Sequence, residues 1–192
     1  MHSEIPNQWT SIEGFTRIID AIGMIGDEVV TSPHFGRWRD GHIALLTARA
    51  LGASHVRLIA EPQPDFVVRI GTDEFLYEAT ELLKPARRRH DEYGAALASA
   101  KLTQDDPEEH WIKADDFLTA LRNRAVSKSE KNYPPGCHLV IYVNVGWISS
   151  RKPFAAPLEE MLGLEALRNA VHPALETFER VNLLHRGALT TL

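Results

Sequence analysis

The stretch "CHLVIYVNV" at 137–145 limits the fold of this 192-residue chain more than any other stretch. It is a nearly unbroken run of apolar residues, many of them β-branched, which is typical of a central strand that is covered on both faces. Such a strand needs helices on both sides of its sheet, and helical patterns precede and follow it. We therefore predict an α/β fold with a mixed sheet flanked by helices.

No linker interrupts the chain, so we predict one domain over residues 1–192. Thr10 has capping-box spacing to Glu13 and is predicted to begin the first helix. After a loop at 31–40, Asp40 is predicted to cap a second helix that stops at Gly52. The remaining predicted elements, in chain order, are strands at 55–60, 65–70 and 74–83, helices at 86–100 and about 107–130, the strand at 137–145, a helix at 158–175 and a strand around 178–184.

Composition excludes several classes of protein. The net charge of −5 argues against unspecific coating of nucleic acid, although a local basic groove is compatible with it. No apolar run approaches the roughly 20 residues that span a bilayer, and the polar N-terminus lacks the apolar core of a signal peptide. Cys137 is the only cysteine, so no internal disulfide can form, which fits a cytoplasmic location. Because Cys137 begins the most apolar strand, it is predicted to be a packed thiol and not a nucleophile.

Common catalytic and nucleotide-binding motifs are absent from the sequence. It contains neither G-x-x-x-x-G-K-[ST] nor a strand followed by G-x-G-x-x-G, so phosphate-cradle nucleotide sites lack support. It also lacks the G-x-S-x-G elbow and the zinc patterns H-E-x-x-H and C-x-x-C. Any chemistry must therefore come from a less common arrangement of side chains.

The stretch "PDFVVRIGTDEFLYEATE" at 64–81 places an acid inside each of two apolar strands. If the hairpin closes over "GTD", the faces of Asp65 and Glu78 coincide near its open end. Two converging carboxylates suit Mg²⁺ or Mn²⁺, which prefer oxygen ligands, and such an ion can activate a water. The alternative is a solvated strand edge or an ion pair with Arg69. Glu81 faces away from Glu78 and is predicted to be a surface acid.

The "PDF" at Asp65, the thirteen-residue step to Glu78 in "YEATE", and the helix and apolar strand that follow resemble the PD-(D/E)xK nuclease superfamily. The resemblance implies a restriction-endonuclease-like α-β-β-β-α-β core over about 10–145, with a C-terminal helix and strand added over about 146–192. It also implies that Asp65, Glu78 and the backbone carbonyl of Ala79 hold Mg²⁺ or Mn²⁺, and that the protein is an endonuclease-like hydrolase of DNA phosphodiesters.

The chain departs from the family pattern at Thr80, where the family has a lysine. A hydroxyl can orient a water, but it cannot supply the positive charge that lysine gives the transition state. Some family members carry this lysine elsewhere, and the candidates here are Lys84, Lys128 and Lys131. If none of them replaces it, the chain is a catalytically inactive nucleic-acid- or protein-binding module on the same fold. The C-terminal helix and strand would then offer an exposed surface for a protein partner.

The family often adds an acid from its first helix, and the candidates are Glu13, Asp20 and Glu28. Glu13 has a competing role as a helix cap, so Glu28, which follows the helix, is the freer candidate.

The basic run "KPARRRH" at 84–90 is predicted to contact a nucleic-acid backbone beside the metal, since helix N-termini and arginine forks bind phosphate. Arg87 and Arg89 are the predicted phosphate contacts. The alternative is ion pairing along the helix surface, for which Arg89 has no acid four residues on. The oligomeric state stays open between a monomer and a homodimer.

Overall fold

A computed structural model describes residues 7–23, 35–60, 63–82, 111–145, 147–149 and 156–192. In these residues the helices are α1 (Ile12–Gly23), α2 (Phe35–Ala50), α3 (Ala114–Ser129), α4 (Leu158–Leu162) and α5 (Leu164–Leu175). The strands are β1 (Thr10–Ser11), β2 (His55–Leu58), β3 (Phe66–Ile70), β4 (Asp73–Leu82), β5 (Trp111–Lys113), β6 (His138–Val143), β7 (Trp147–Ser149), β8 (Val181–His185) and β9 (Ala188–Thr191).

Seven strands form one mixed sheet in the order β1-β2-β3-β4-β6-β8-β9. Strands β1 to β4 pair antiparallel with one another, β6 is parallel to both β4 and β8, and β9 returns antiparallel to β8. Parallel neighbours need a crossover connection, and α3 precedes β6 while α5 precedes β8. The predicted α/β fold with a mixed sheet flanked by helices is confirmed.

Strand β6 lies in the interior of the sheet, between β4 and β8, and contributes to two apolar cores. Leu139 and Ile141 pack on one side with α3 and α5, whereas Val140 packs on the other side with α1 and α2. All three side chains are fully buried. The prediction that 137–145 is a central strand covered on both faces is therefore confirmed.

The first helix begins two residues later than predicted. Thr10 and Ser11 form β1, which pairs with β2. The Ser11 hydroxyl oxygen accepts a hydrogen bond from the Gly14 N–H at 3.2 Å, so Ser11 is the residue that caps α1. Glu13 pairs with the exposed Arg17 one turn later, so its predicted role as a cap is wrong.

The second helix begins earlier than predicted, because α2 starts at Phe35. Asp40 therefore lies inside the helix and not at its cap, and it accepts hydrogen bonds from Arg39. The predicted loop at 31–40 is wrong for residues 35–40. Gly52, with a φ of +65°, follows the helix as predicted for a C-terminal glycine.

Two predictions in the C-terminal half also need correction. In the predicted helix at about 107–130, Trp111–Lys113 forms β5, which pairs with β7 in a separate two-stranded sheet. The C-terminal strand is not exposed, because every residue of β8 is buried, whereas α5 buries Leu167 and Val171 on one face and exposes Glu165 and Arg168 on the other. The predicted helix at 86–100 lies outside the described residues.

Among the residues that the structure describes, no helix is both long enough and apolar enough to cross a membrane.

Candidate functional site

Asp65 and Glu78 face each other across the β3–β4 hairpin. The ladder ends at the pair Phe66–Tyr77, and the same register continued by one residue puts Asp65 opposite Glu78. The Asp65 N–H donates to the Tyr77 carbonyl at 3.0 Å. Opposed residues in an antiparallel pair project on the same face. Where β3 begins, Asp65 Oδ2 accepts a hydrogen bond from the Ala79 N–H at 2.7 Å. The structure thus brings Asp65 and Glu78 together with Ala79, the residue after Glu78 in the motif.

Neither alternative for this pair fits the structure. The Arg69 guanidinium lies 2.6 Å from Glu74, its partner in the register, and does not pair with the two acids. The Glu78 side chain is only 4% exposed, so it is not on a solvated edge. Burial of a carboxylate is costly unless a cation or hydrogen bonds compensate it.

Lys128, in the last turn of α3, supplies a cation to Glu78. Its Nζ lies 2.5 Å from Glu78 Oε1 and 3.1 Å from the Ala79 carbonyl oxygen. Glu78 is buried, with 4% of its side chain exposed, and Lys128 is largely buried, with 13% exposed. Lys131 lies beyond the end of α3 and is exposed. Of the two candidate lysines that the structure describes, Lys128 is the one that contacts the acids.

Tyr133, which the sequence did not indicate, also reaches Glu78. Its hydroxyl donates to Glu78 Oε1 over a long contact of 3.4 Å. Burial, with the nearby Glu78 carboxylate as a second cause, raises the pKa of Tyr133 far above its usual value. The phenol therefore stays protonated and acts as a donor to Glu78. Thr80 is buried two residues after Glu78, on the same strand face.

Cys137 lies next to this cluster and is fully buried. Burial raises the pKa of its thiol to about 12, and the Glu78 carboxylate adds to the effect. The thiol is therefore protonated at neutral pH, whereas only a thiolate would be a good nucleophile. The prediction of a packed thiol is confirmed.

The electrostatics of the site act strongly on Asp65. Burial is the main cause that raises the pKa of this carboxyl to about 7, the charges of Glu78 and Asp40 act in the same direction, and the Ala79 N–H and Lys128 oppose the shift. An uncompensated negative charge is thus disfavoured here. A cation bound beside Asp65 would favour its ionised form.

Ionisation of Asp65 should lower the free energy of unfolding as the pH rises. Its pKa is about 7 in the fold against 3.8 ordinarily, so between these values the folded state binds more protons than the unfolded state and stability falls with rising pH. Asp65→Asn keeps an acceptor for the Ala79 N–H but removes the titration. Urea unfolding in metal-free buffer should show the variant gaining stability relative to wild type between pH 5 and pH 8. A constant difference would contradict the prediction, and Asp20→Asn on the exposed face of α1 is the control.

Other predicted acids occupy different places. Glu81 is 6% exposed and accepts a hydrogen bond from Asn144 Nδ2 at 2.7 Å, so its prediction as a surface acid is wrong. Of the helix acids proposed to join the site, Glu13 and Asp20 are exposed on α1. The helix acid whose charge acts on Asp65 is Asp40 of α2, which had been interpreted only as a cap.

Glu28, Lys84, Arg87 and Arg89 lie outside the described residues, so their proposed roles stay predictions.

The donor atoms at the site suit a hard divalent cation. Within the described ranges there is no group of three or more His, Cys, Asp or Glu side chains that could hold a metal. Glu78 Oε1 and the Ala79 carbonyl nevertheless lie close enough to share the Lys128 ammonium, Asp65 Oδ2 is hydrogen-bonded to the N–H of the same Ala79, and Mg²⁺ is often held by one or two carboxylates with waters. Among the described residues, Glu78 Oε2 is buried and has no hydrogen-bond partner. The residues fit such an ion, provided that Lys128 releases the two oxygens that it now contacts.

A scan against models of known protein families found no match, and a search of curated proteins found no significant match. Among solved structures, the chain is similar to SfsA from Pyrococcus furiosus, whose structure was solved in complex with Ca²⁺. The identity is 15% and the TM-score is 0.28, with 81% of this chain and 60% of that chain covered. This chain therefore spans less than two thirds of the SfsA chain, and a similarity this weak assigns no fold family.

Proposed function

We propose that this chain is a metal-dependent nuclease that hydrolyses DNA phosphodiesters at the Asp65–Glu78 pair. The observation that carries the proposal is the position of Lys128. Its ammonium contacts Glu78 Oε1 at 2.5 Å, although Thr80 stands where the nuclease motif has lysine. Under this proposal, Lys128 from α3 supplies the positive charge that the motif lysine, replaced by Thr80, would otherwise give.

The topology around the acids supports the same proposal. The antiparallel strands β2, β3 and β4 are followed by α3 and by β6, which pairs parallel with β4. This order agrees with the β-β-β-α-β part of the core that the motif resemblance implies. Asp65 lies directly before β3 and Glu78 in the middle of β4, on the sheet face that α3 covers.

Asp65, Glu78 and the Ala79 carbonyl would hold Mg²⁺ or Mn²⁺. When bound, such an ion activates a water and offsets charge on the scissile phosphate. The chain's own residues do the rest. Lys128 gives positive charge to the phosphorane from its flexible four-carbon stem, and Tyr133 orients Glu78 by hydrogen bonding to Oε1. The Thr80 hydroxyl, on the same strand face, orients water.

A second function is favoured by the same lysine. The Lys128 Nζ contacts both Glu78 Oε1 and the Ala79 carbonyl, which are two of the three proposed metal ligands. If this ammonium holds the site permanently, the chain is a non-catalytic nucleic-acid-binding module in which lysine stands in for the ion. The two functions differ in whether a divalent cation displaces Lys128.

Plasmid cleavage in Mg²⁺ distinguishes the nuclease from the binding module, because a positive charge removed at Lys128 can be put back at Thr80. Lys128→Met should lower the cleavage rate by about 10²–10³-fold, the usual cost of losing one group that stabilises charge in a transition state. Adding Thr80→Lys to that variant should restore a large part of the rate. Thr80→Met is the control, because it matches the lysine in length without its charge. If neither the wild type nor Thr80→Lys cuts DNA with Mg²⁺ or Mn²⁺, the nuclease proposal fails and the binding module replaces it.

A further inference from the structure

Two arginines and a tryptophan cluster on the sheet beside the acids. The Arg69 guanidinium carbon lies 4.1 Å from the centroid of the Trp9 ring, and that of Arg57 lies 5.3 Å from it. A cation this close to an indole ring is attracted by the ring's quadrupole. Trp9 therefore holds two positive charges near each other, and we name these three residues the arginine platform.

The strand register places the arginine platform on the same sheet face as Asp65. Side chains alternate along β3, so Asp65, Val67 and Arg69 project to one side. Arg57 pairs with Val67 across the β2–β3 ladder, which puts it on that side as well. Four residues of extended chain separate Asp65 from Arg69, which is about 13 Å along the strand. The acids and the arginine platform are thus two ends of one surface.

Each guanidinium has hydrogen-bonding capacity that its neighbours leave unused or use only weakly. Arg57 Nε is buried and, within the described part of the chain, has no hydrogen-bond partner. The Arg69 side chain is 32% exposed. Among the ion pairs of the described residues, Arg69 pairs only with the half-exposed Glu74, at 2.6 Å. Exposed pairs of this kind are weak, so Glu74 can be displaced from Arg69 by a stronger anion.

We infer that the arginine platform binds backbone phosphates of the DNA on which the Asp65–Glu78 pair acts. Guanidinium forks match phosphate oxygens in a bidentate way, and contact with Trp9 fixes their orientation before binding. Phosphate contacts hold the strand in register and read no bases. Glu74 weakens phosphate binding because it competes for Arg69. This inference rests on the proposed function and adds to it the course of the substrate strand.

The test is binding of a fluorescently labelled duplex oligonucleotide to the full chain, measured by anisotropy in EDTA over a range of salt concentrations. Arg57→Gln and Arg69→Gln should each weaken binding about tenfold, the loss of one charge-assisted contact. Each should also lower the log–log salt slope by about 0.9. Glu74→Gln should have the opposite effect and tighten binding, which no loss of folding can imitate.

The matched controls are Arg17→Gln and Glu13→Gln, an exposed arginine–glutamate pair on α1, which packs on the other side of the sheet. They should leave affinity and slope unchanged. If the wild type binds DNA and the platform variants bind equally well, the platform inference is overturned and the proposed function stands. If the wild type neither binds nor cuts DNA, the proposed function fails and the platform inference fails with it.

Discussion

Replacing Lys128 with methionine is expected to lower the free energy of unfolding by about 3–5 kcal/mol in metal-free buffer. The reason is the Glu78 carboxylate, whose side chain is 4% exposed and whose Oε1 lies 2.5 Å from the Lys128 ammonium. Methionine fills a similar volume but leaves a buried charge without its cation. Urea unfolding followed by circular dichroism gives the difference directly.

Two further variants make this result specific. Lys131→Met removes an exposed lysine close to the end of α3 and should change the free energy of unfolding by less than about 0.5 kcal/mol. The double variant Glu78→Gln with Lys128→Met should be less destabilised than the sum of its parts, because it removes both charges. Equal stabilities of Lys128→Met and Lys131→Met would show that the Lys128–Glu78 pair contributes nothing.

Divalent cations should restore part of what Lys128→Met loses. An ion that binds only the folded state stabilises it according to its concentration relative to Kd. In the variant, Glu78 Oε1 and the Ala79 carbonyl are free of the ammonium, so millimolar Mn²⁺ should stabilise it more than it stabilises the wild type. An equal response of the two proteins would mean that Lys128 and the cation do not compete for these oxygens.

Glu78→Gln is expected to reduce Mg²⁺-dependent cleavage of plasmid DNA to background, the largest effect on activity that we predict. The amide keeps the shape of the side chain and can still accept a hydrogen bond from Tyr133. It removes the negative charge that would hold the cation, and neutral amides are weaker ligands for Mg²⁺ than carboxylates. Glu81→Gln is the control, because Glu81 is equally buried on the same strand but faces the opposite side. Equal activities of Glu78→Gln and wild type would remove Glu78 from the site.

The central strand and the hairpin could be predicted because their signals are local. The apolar run at 137–145 has no exposed face, and this alone indicates burial on both sides. The short turn at Gly71 and Thr72 fixes the register, and the register sets Asp65 opposite Glu78. The helix boundaries were harder, since Thr10 and Ser11 are both good caps and only the pairing of β1 with β2 decides between them.

Long-range contacts explain what the sequence did not indicate. Lys128 is fifty residues from Glu78 in the sequence. It could be named only as one of three candidate lysines, because the packing of α3 on the sheet decides which lysine reaches Glu78, and the sequence does not show that packing. Tyr133 and the stacking of Trp9 on Arg57 and Arg69 depend on the same kind of assembly. Glu81 was assigned to the surface because alternation distinguishes the two faces of a strand, and here both faces are covered.

The most direct test of the central claim is Mn²⁺ binding, measured by electron paramagnetic resonance of the free ion. The proposed nuclease site predicts one Mn²⁺ bound per wild-type chain, tighter binding by Lys128→Met and no binding at that site in Glu78→Gln. Competition by Mg²⁺ should release the bound Mn²⁺. If the wild type and Lys128→Met bind no Mn²⁺ at millimolar concentration, or if Glu78→Gln binds it as well as the wild type, the Asp65–Glu78 pair is not a metal site and the nuclease account is contradicted.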